Sequence, residues 1–299
     1  MLRQAANSIY IEGILAENDL NYTSFNKNGK TVEAIGGKIT VKVNQIINGK
    51  EKELMIPVHM FSAKYKNDGN PNPAYTSIDN VKTNMVSIAA GGEDAADRIR
   101  LTASLEMNEY YTGNETLVSF PRVKASFVNK VSKDQFNSKA EGQIEFCVAE
   151  KKEEIENDEP TGRLIIRGIV PQYGGKVDVI PFYVETPQAI DVANTYWSEG
   201  DTVRVKVKLN FSSTTKEIIE EADFGEPTIK TRTINVSEIV IVGGNSAPLD
   251  GDMAYDTGDI QTGLADRKAR LEAQKAKDMS RAKSKTAPAQ GSKKIDLGF

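Results

Sequence analysis

Residues 161–185 read TGRLIIRGIVPQYGGKVDVIPFYVE, and this stretch decides the fold. Its first part alternates charged residues such as Arg163 and Arg167 with apolar ones, which is the period of a strand with one buried face. Tyr173-Gly174-Gly175 then predicts a turn into a second strand. A similar stretch, KITVKVNQIINGKEKELMIPVHM, occupies residues 38–60. The chain is therefore expected to contain this unit twice.

The flanking segments repeat in the same order in both halves of the chain. Strand-like alternation occurs in the first half at residues 8–16, 38–60, 98–106 and 118–131, and in the second at 142–150, 161–185, 201–211 and 232–242. A helical pattern follows the third strand each time, at 72–90 and at 188–197. Five strands with a helix between the third and fourth form the OB-fold, a Greek-key barrel. The sequence therefore predicts a mainly β protein with two tandem OB-fold domains plus a flexible basic C-terminal tail.

The repeat also gives expected domain limits. We expect a first OB-fold domain at 1–135, a second at 136–245, a linker at 246–263, and a basic, partly helical or disordered tail at 264–299. The linker is predicted from its Gly, Asp, Ser and Pro content without periodicity. Two polar stretches, 17–30 and 150–159, are expected to be the loops between the first and second strands of each domain.

Composition limits the functional classes. The chain has 299 residues, 38 Lys and Arg against 42 Asp and Glu, and one cysteine, Cys147. One cysteine excludes an internal disulfide and a cysteine-rich zinc site, and it fits the reducing cytoplasm. No apolar run of about 18 residues and no signal-peptide pattern is present, so neither a membrane span nor secretion is expected.

The sequence offers little for catalysis. His59 is the single histidine, so no His-pair metal site is possible, and its apolar strand favours a rim or core residue over a catalytic one. The Gly-Gly pairs do not match a phosphate-binding loop. A nuclease would need a carboxylate cluster for two metals, whereas the acidic stretch 150–159 is contiguous and is more typical of a solvated run. We therefore expect no enzyme activity, no cofactor and no metal.

Basic strand faces interleaved with aromatic residues are the remaining signal. In the first domain the predicted nucleic-acid-binding residues are Lys38, Lys42, Arg98, Arg100, Arg122 and Lys124, with the aromatic residues Tyr22, Phe25, Tyr110 and Tyr111 and, beside them, Phe61 and Tyr65. In the second they are Arg163, Arg167, Lys176, Arg204, Lys206 and Lys208, with Tyr173 and, beside it, Phe182, Tyr183 and Phe211. Cations that follow phosphates and rings that stack on bases are what single-stranded nucleic acid requires.

Three phrases carry a resemblance to a known group of proteins. They are IYIEGILAENDL, DRIRLTASLEMNEYYTGNETLVSFPRVKASFVNKV and RGIVPQYGGKVDVIPFYVE. Over residues 8–244 the chain resembles tandem-OB, single-stranded-DNA-binding-like proteins of bacteriophages of Gram-positive hosts. The resemblance implies a role in replication, recombination or repair of phage DNA. The ending KKIDLGF is similar to the partner-docking tip of bacterial single-stranded DNA-binding proteins, although Gly298 stands where they have proline and Lys293-Lys294 where they have acidic residues. This similarity implies replication or recombination proteins as partners.

Two functions remain open on the sequence. The first is non-sequence-specific binding and protection of single-stranded DNA. The alternative is a structural or protein-interaction protein built on OB barrels, in which the strand charges only keep the sheets soluble. The sequence leaves open DNA against RNA preference, site size and cooperativity, and oligomeric state.

Overall fold

A computed structural model of the chain describes residues 2–220 and 228–286. The strands are β1 Asn7–Lys27, β2 Lys30–Ile47, β3 Lys50–Ala63, β4 Arg98–Tyr111, β5 Leu117–Lys130, β6 Lys139–Glu156, β7 Glu159–Pro171, β8 Val177–Val184, β9 Thr202–Glu220 and β10 Thr228–Gly244. The helices are α1 Pro73–Asn84, α2 Ile88–Gly91, α3 Pro187–Tyr196 and α4 Thr257–Thr286, and short 3₁₀ turns lie at Lys133–Gln135, Tyr173–Gly175 and Gly251–Met253. Among the helices of these residues, none has both the length and the apolar character to cross a membrane.

The strands close into two five-stranded barrels. The first barrel has the order β2-β3-β5-β4-β1 with β1 paired back to β2, and the second has β6-β7-β8-β10-β9 with β9 paired back to β6. Within each barrel, only the pairing of the third and fifth strands is parallel. This is the strand order of the OB-fold, and a helix follows the third strand in each barrel, so the predicted tandem OB-fold is confirmed.

The hairpin at 161–185 forms as the sequence predicts. β7 pairs with β8 from Leu164↔Val184 to Pro171↔Val177, and the turn between them is Tyr173–Gly175. Gly174 and Gly175 both have left-handed φ angles, 74° and 76°, which residues with a Cβ adopt at a cost. The glycine pair thus explains why the chain reverses here.

The two polar stretches expected to be loops are strands instead. β1 and β2 stay paired to Lys27↔Lys30, and β6 and β7 to Glu156↔Glu159. The first of these ribbons ends in Asn28-Gly29, where both residues have positive φ, as a tight hairpin turn requires. Both faces of such a protruding ribbon meet water, so its sequence carries no apolar alternation and resembles a loop.

One strand joins the two barrels. β1 pairs with β4 of its own barrel and also with β6, from Asn7↔Ile144 to Glu12↔Lys139. A Cβ on Gly142 would lie 2.1 Å from the Ser8 carbonyl oxygen, so glycine allows this approach. Buried Gln45 adds a second link, because its amide donates to the Leu209 carbonyl (2.9 Å) and accepts from the Ala140 N–H (2.9 Å). The proposed domain limit after residue 135 follows the 3₁₀ turn Lys133–Gln135.

The expected linker 246–263 is packed against the second barrel. The Trp197 indole N–H donates to the Ser246 carbonyl (2.8 Å), and the Leu249 N–H donates to the Thr202 carbonyl (2.7 Å). Tyr255 and Ile260 are buried. These apolar anchors are too widely spaced to give a periodic pattern, which is why the composition indicates a linker.

The basic segment that follows lies across both barrels as α4. Arg267 forms an ion pair with Glu109 of β4, and Arg270 lies 3.6 Å from Asp178 of β8. Lys275 lies 2.6 Å from Glu115, beyond the end of β4. The expected docking tip, residues 295–299, lies outside the described residues.

Candidate nucleic-acid interface

Three neighbouring strands of the first barrel present polar side chains side by side. Lys38 of β2 is the register partner of His59 on β3, and His59 is the partner of Lys124 on β5. Phe61 lies two residues after His59 on β3, and Arg122 lies two residues before Lys124 on β5. Together these five side chains line a groove of about 660 Å³, called here the first-barrel groove. Three of the predicted cations therefore do come together.

Exposed aromatic rings stand at one end of the groove. Phe25, near the tip of the β1–β2 ribbon, packs against Phe61 with 5.7 Å between the ring centroids. Phe61 is 51% exposed and Phe25 is 36% exposed. Tyr65 is also exposed, beyond the end of β3. Rings this open retain faces that are free to stack on a flat partner.

The two lysines of the groove hold their carboxylates loosely. Lys38 lies 3.7 Å from Asp19, and Lys124 lies 3.5 Å from Glu106, which also pairs with Arg122. The two lysine side chains are 40% and 50% exposed, and exposed ion pairs of this kind contribute about 0–1 kcal/mol. The lysines can therefore move to another anion at little cost.

His59 lies between these cations, and its surroundings favour the neutral imidazole. Burial, and then the neighbouring Arg122 and Lys38, lower the pKa of His59. The strand pattern predicts a rim or core side chain at this position. The register shows that His59 is the middle residue of the groove.

Three predicted cations of the first barrel lie outside the groove. Lys42 lies 3.2 Å from both Glu53 and Glu93. Arg100 lies 3.8 Å from buried Glu12, and the Arg98 guanidinium lies over the Phe136 ring. Four strand residues span about 13 Å, so Lys42 shares the strand face of Lys38 but lies too far along β2 to join the groove. These three side chains are engaged with partners on the barrel wall.

The other predicted aromatic residues of the first barrel contact neighbouring side chains. The Tyr22 hydroxyl donates to Asp79 of α1 (2.6 Å), and Lys82 lies over its ring. Tyr111 lies beneath Lys275 of α4. Tyr110 is 41% exposed and makes an edge-to-face contact with Phe120. Tyr22 is still 56% exposed, so Tyr22 and Tyr110 both keep exposed ring surface.

Arg163, the central predicted cation of the second barrel, lies in an ion-pair cluster. Its guanidinium lies 2.8 Å from Glu238 and 3.3 Å from Glu154, and it covers the Tyr183 ring. Glu185 completes the set at 3.8 Å. Arg163 therefore does not stand free on an open face, because carboxylates from three other strands or their ends surround it.

Most of the other basic residues of this barrel are engaged with partners. Arg204 is bound to buried Glu145 (2.7 Å), and Arg167 lies 3.4 Å from Glu150. The Lys208 ammonium donates to the Ile46 carbonyl of the first barrel (2.8 Å). Lys206 is exposed and has no ion-pair partner among the described residues. The flanking rings expected here are not at the surface either: Phe182 and Phe211 are buried.

Part of the first barrel lies against the second where an open face was expected. In the β2–β3 hairpin the Asn48 amide donates to Glu185 (2.7 Å) and the Lys52 ammonium donates to Asn210 (3.1 Å). The two barrels are thus alike in strand order and unlike in surface.

Known proteins share this architecture. The YorF family model matches residues 5–277. The chain belongs to the YorF family. A search of curated protein sequences found no match to this chain.

Two solved structures match this YorF chain over most of its length. One is a deletion and substitution variant of the single-stranded DNA binding protein from Thermus aquaticus, at a TM-score of 0.50 and 11% identity, covering 83% of this chain and 97% of that one. The wild-type form of that protein gives a TM-score of 0.49 and 10% identity, with 83% and 96% covered. At this identity the likeness concerns the fold.

Two predicted residues of the second barrel lie beside the first. Tyr173 and Lys176 of the β7–β8 turn line a cleft between the YorF barrels, together with Arg122 and Lys124 of β5. Two further lining residues, Phe127 of β5 and Arg270 of α4, were missed from the sequence. Phe127 lies in a segment whose alternation predicts a strand but gives no sign of a binding site. Arg270 lies in the segment expected to be a tail.

Proposed function

We propose that this chain binds single-stranded DNA without sequence preference through the first-barrel groove, and protects it without catalysing a reaction. The observation that carries the proposal is the row Lys38, His59 and Lys124 across three adjacent strands, ending at the exposed Phe61. In OB-folds the second and third strands and the adjoining loops hold oligonucleotides. Here β2 and β3 supply the row, and the β1–β2 ribbon adds Phe25.

Several features favour a single strand over a duplex. Phe25 and Phe61 offer ring faces, which bases reach only when they are unpaired, and each base–ring stack contributes about 1–3 kcal/mol with little preference among bases. The neighbour from Thermus aquaticus is named as a single-stranded DNA binding protein. Together with the resemblance to phage-encoded proteins, this supports a role in replication, recombination or repair of phage DNA in the host cytoplasm.

The direct test is chromatography on immobilised oligothymidylate. We expect retention that weakens as salt rises, and no comparable retention on a duplex of equal length. A structural or protein-interaction protein with OB barrels would pass through both columns at low salt.

Removing Glu106, one of the two carboxylates of the groove, should tighten binding. Glu106→Gln frees Arg122 and Lys124 from their shared partner, so they no longer have to leave a carboxylate before they contact phosphate. We expect the dissociation constant for oligothymidylate to fall several-fold in a fluorescence anisotropy titration. Glu150→Gln, which frees Arg167 on the second barrel, is the matched control and should bind like the wild type. Equal tightening by both variants would indicate a general charge effect.

A further inference from the structure

A second cavity continues from the first-barrel groove. It is a cleft of about 820 Å³ between the barrels, with β4 and β5 as its floor, the β7–β8 turn as one wall and α4 as the other. Glu106, Arg122 and Lys124 line both cavities. A chain lying in the groove can therefore run into the cleft without leaving the surface.

The β7–β8 turn is fixed to the first barrel on both sides of its tip. The side-chain amide of Gln172 donates to the Leu105 carbonyl (3.0 Å), and the backbone N–H of Met107 donates to the Asp178 carboxylate (3.1 Å). Between these two anchors the Gln172 N–H donates to the Lys176 carbonyl (2.7 Å). The backbone of the turn is thus held in place at the edge of β4.

The side chains on this fixed turn are open. Tyr173 is 84% exposed, the highest exposure among the large apolar and aromatic side chains of the described residues. Lys176 is exposed and has no ion-pair partner in the part of the chain that the structure describes. A ring and an ammonium group held on a rigid backbone lose little freedom of the main chain when a ligand arrives.

The charges of the cleft favour an anion. Its cations are Arg122, Lys124, Lys176 and Arg270, and its carboxylates are Glu106, Glu109 and Asp178. Each carboxylate already faces a cation: Glu106 faces Arg122, Glu109 faces Arg267, and Asp178 faces Arg270. Phe127, 53% exposed, adds a second ring to the lining.

The corresponding face of the second barrel lacks these properties. There Arg163 is surrounded by Glu154, Glu185 and Glu238, and the β2–β3 hairpin of the first barrel contacts the neighbouring Asn210. A DNA strand that leaves the groove thus meets the exposed Lys176 and the exposed rings of Tyr173 and Phe127 in the cleft, whereas Arg163 on the second barrel is held by carboxylates.

We propose that single-stranded DNA leaving the first-barrel groove continues through the inter-barrel cleft, where Tyr173 stacks on a base and Lys176 contacts a phosphate. The DNA thus follows the first barrel and the β7–β8 turn of the second. It does not cross equivalent faces of the two barrels. This inference rests on the proposed function and adds the path of the strand.

The test is the length dependence of binding by the full chain. Oligothymidylates of about 6 and about 20 nucleotides are compared, since one OB-fold holds about 4–16 nucleotides. The double variant Tyr173→Ala with Lys176→Ala should bind the short oligonucleotide like the wild type and lose at least about tenfold on the long one, since the loss of one stack of about 1.4 kcal/mol already accounts for tenfold. Tyr173→Phe with Lys176 unchanged keeps the ring and should bind both lengths like the wild type.

The matched control removes the same groups elsewhere. Tyr196→Ala with Lys152→Ala takes one exposed tyrosine and one exposed lysine from the second barrel, and should bind both lengths normally. Wild-type affinity of the Tyr173 and Lys176 variant for the long oligonucleotide, or an equal loss at both lengths, would overturn the proposed path while leaving groove binding intact. Failure of the wild type to bind either length would overturn the proposed function itself.

Discussion

Glu145→Ala is expected to lower the free energy of unfolding by about 3 kcal/mol, the low end for a broken buried ion pair. The Glu145 side chain is fully buried and binds Arg204 (2.7 Å), Arg3 (2.6 Å) and the Tyr255 hydroxyl. Removing it leaves two guanidinium groups without a partner, although both are partly exposed and can regain water, which limits the loss. The cluster also ties the N-terminal segment and residue 255 to β6 and β9, so its loss should loosen the start of α4.

Urea unfolding followed by circular dichroism measures this effect. Glu141→Ala is the matched control, because Glu141 lies on the same strand, its side chain is 43% exposed, and its one ion-pair partner among the described residues is Lys139 (3.4 Å). We expect the control to change the free energy of unfolding by less than about 0.5 kcal/mol. Equal midpoints for Glu145→Ala and the wild type would show that the cluster does not stabilise the fold.

The same cluster sets a dependence on pH. Burial alone would raise the pKa of Glu145, but hydrogen bonds from Tyr255, Arg204 and Arg3 outweigh it and hold the pKa below its ordinary value. A lowered pKa in the folded state contributes stability that is complete above the ordinary glutamate pKa, about 4.3, and is lost as the pH falls through the folded value. The stability difference between the wild type and Glu145→Gln should therefore shrink in acid.

Phe25→Ala with Phe61→Ala should weaken binding of oligothymidylate by about 100-fold, because two base stacks of about 1–3 kcal/mol each are removed. The two rings contact each other at the end of the first-barrel groove and are partly exposed, so the fold should tolerate their removal. Anisotropy titration measures the affinity, and the thermal unfolding midpoint shows whether the variant is folded. Tyr196→Ala removes an exposed ring of the second barrel and should have no effect. A folded double variant with wild-type affinity would exclude these rings from the site.

The fold could be predicted because its signals are local. The alternation in β7 and the turn at Gly174-Gly175 are each encoded within a few residues, and their repeated order fixes the two barrels. The cations of the first-barrel groove could be predicted in part. Lys38 and Lys124 lie on β2 and β5, which the OB-fold order places on either side of β3.

The surroundings of Arg163 and the inter-barrel cleft could not be predicted, because the residues that meet there are distant in sequence. Arg163 looks free on a strand until β10 brings Glu238 to 2.8 Å from it. Tyr173 and Lys176 were assigned to the second barrel, because nothing local to the turn shows that Leu105 and Met107 of β4 hold it against the first. Such pairings depend on how the barrels meet, which strand periodicity does not encode.

The most direct test of groove binding is the dependence of the affinity for oligothymidylate on salt. Lys38→Ala with Lys124→Ala should flatten the plot of log affinity against log salt by about 1.4, which is about 0.7 for each phosphate that is no longer neutralised. Lys152→Ala with Arg167→Ala removes the same charge from the second barrel and should leave the slope of the wild type unchanged. An unchanged slope in the Lys38 and Lys124 variant, or an equal flattening in both variants, would contradict binding in the first-barrel groove.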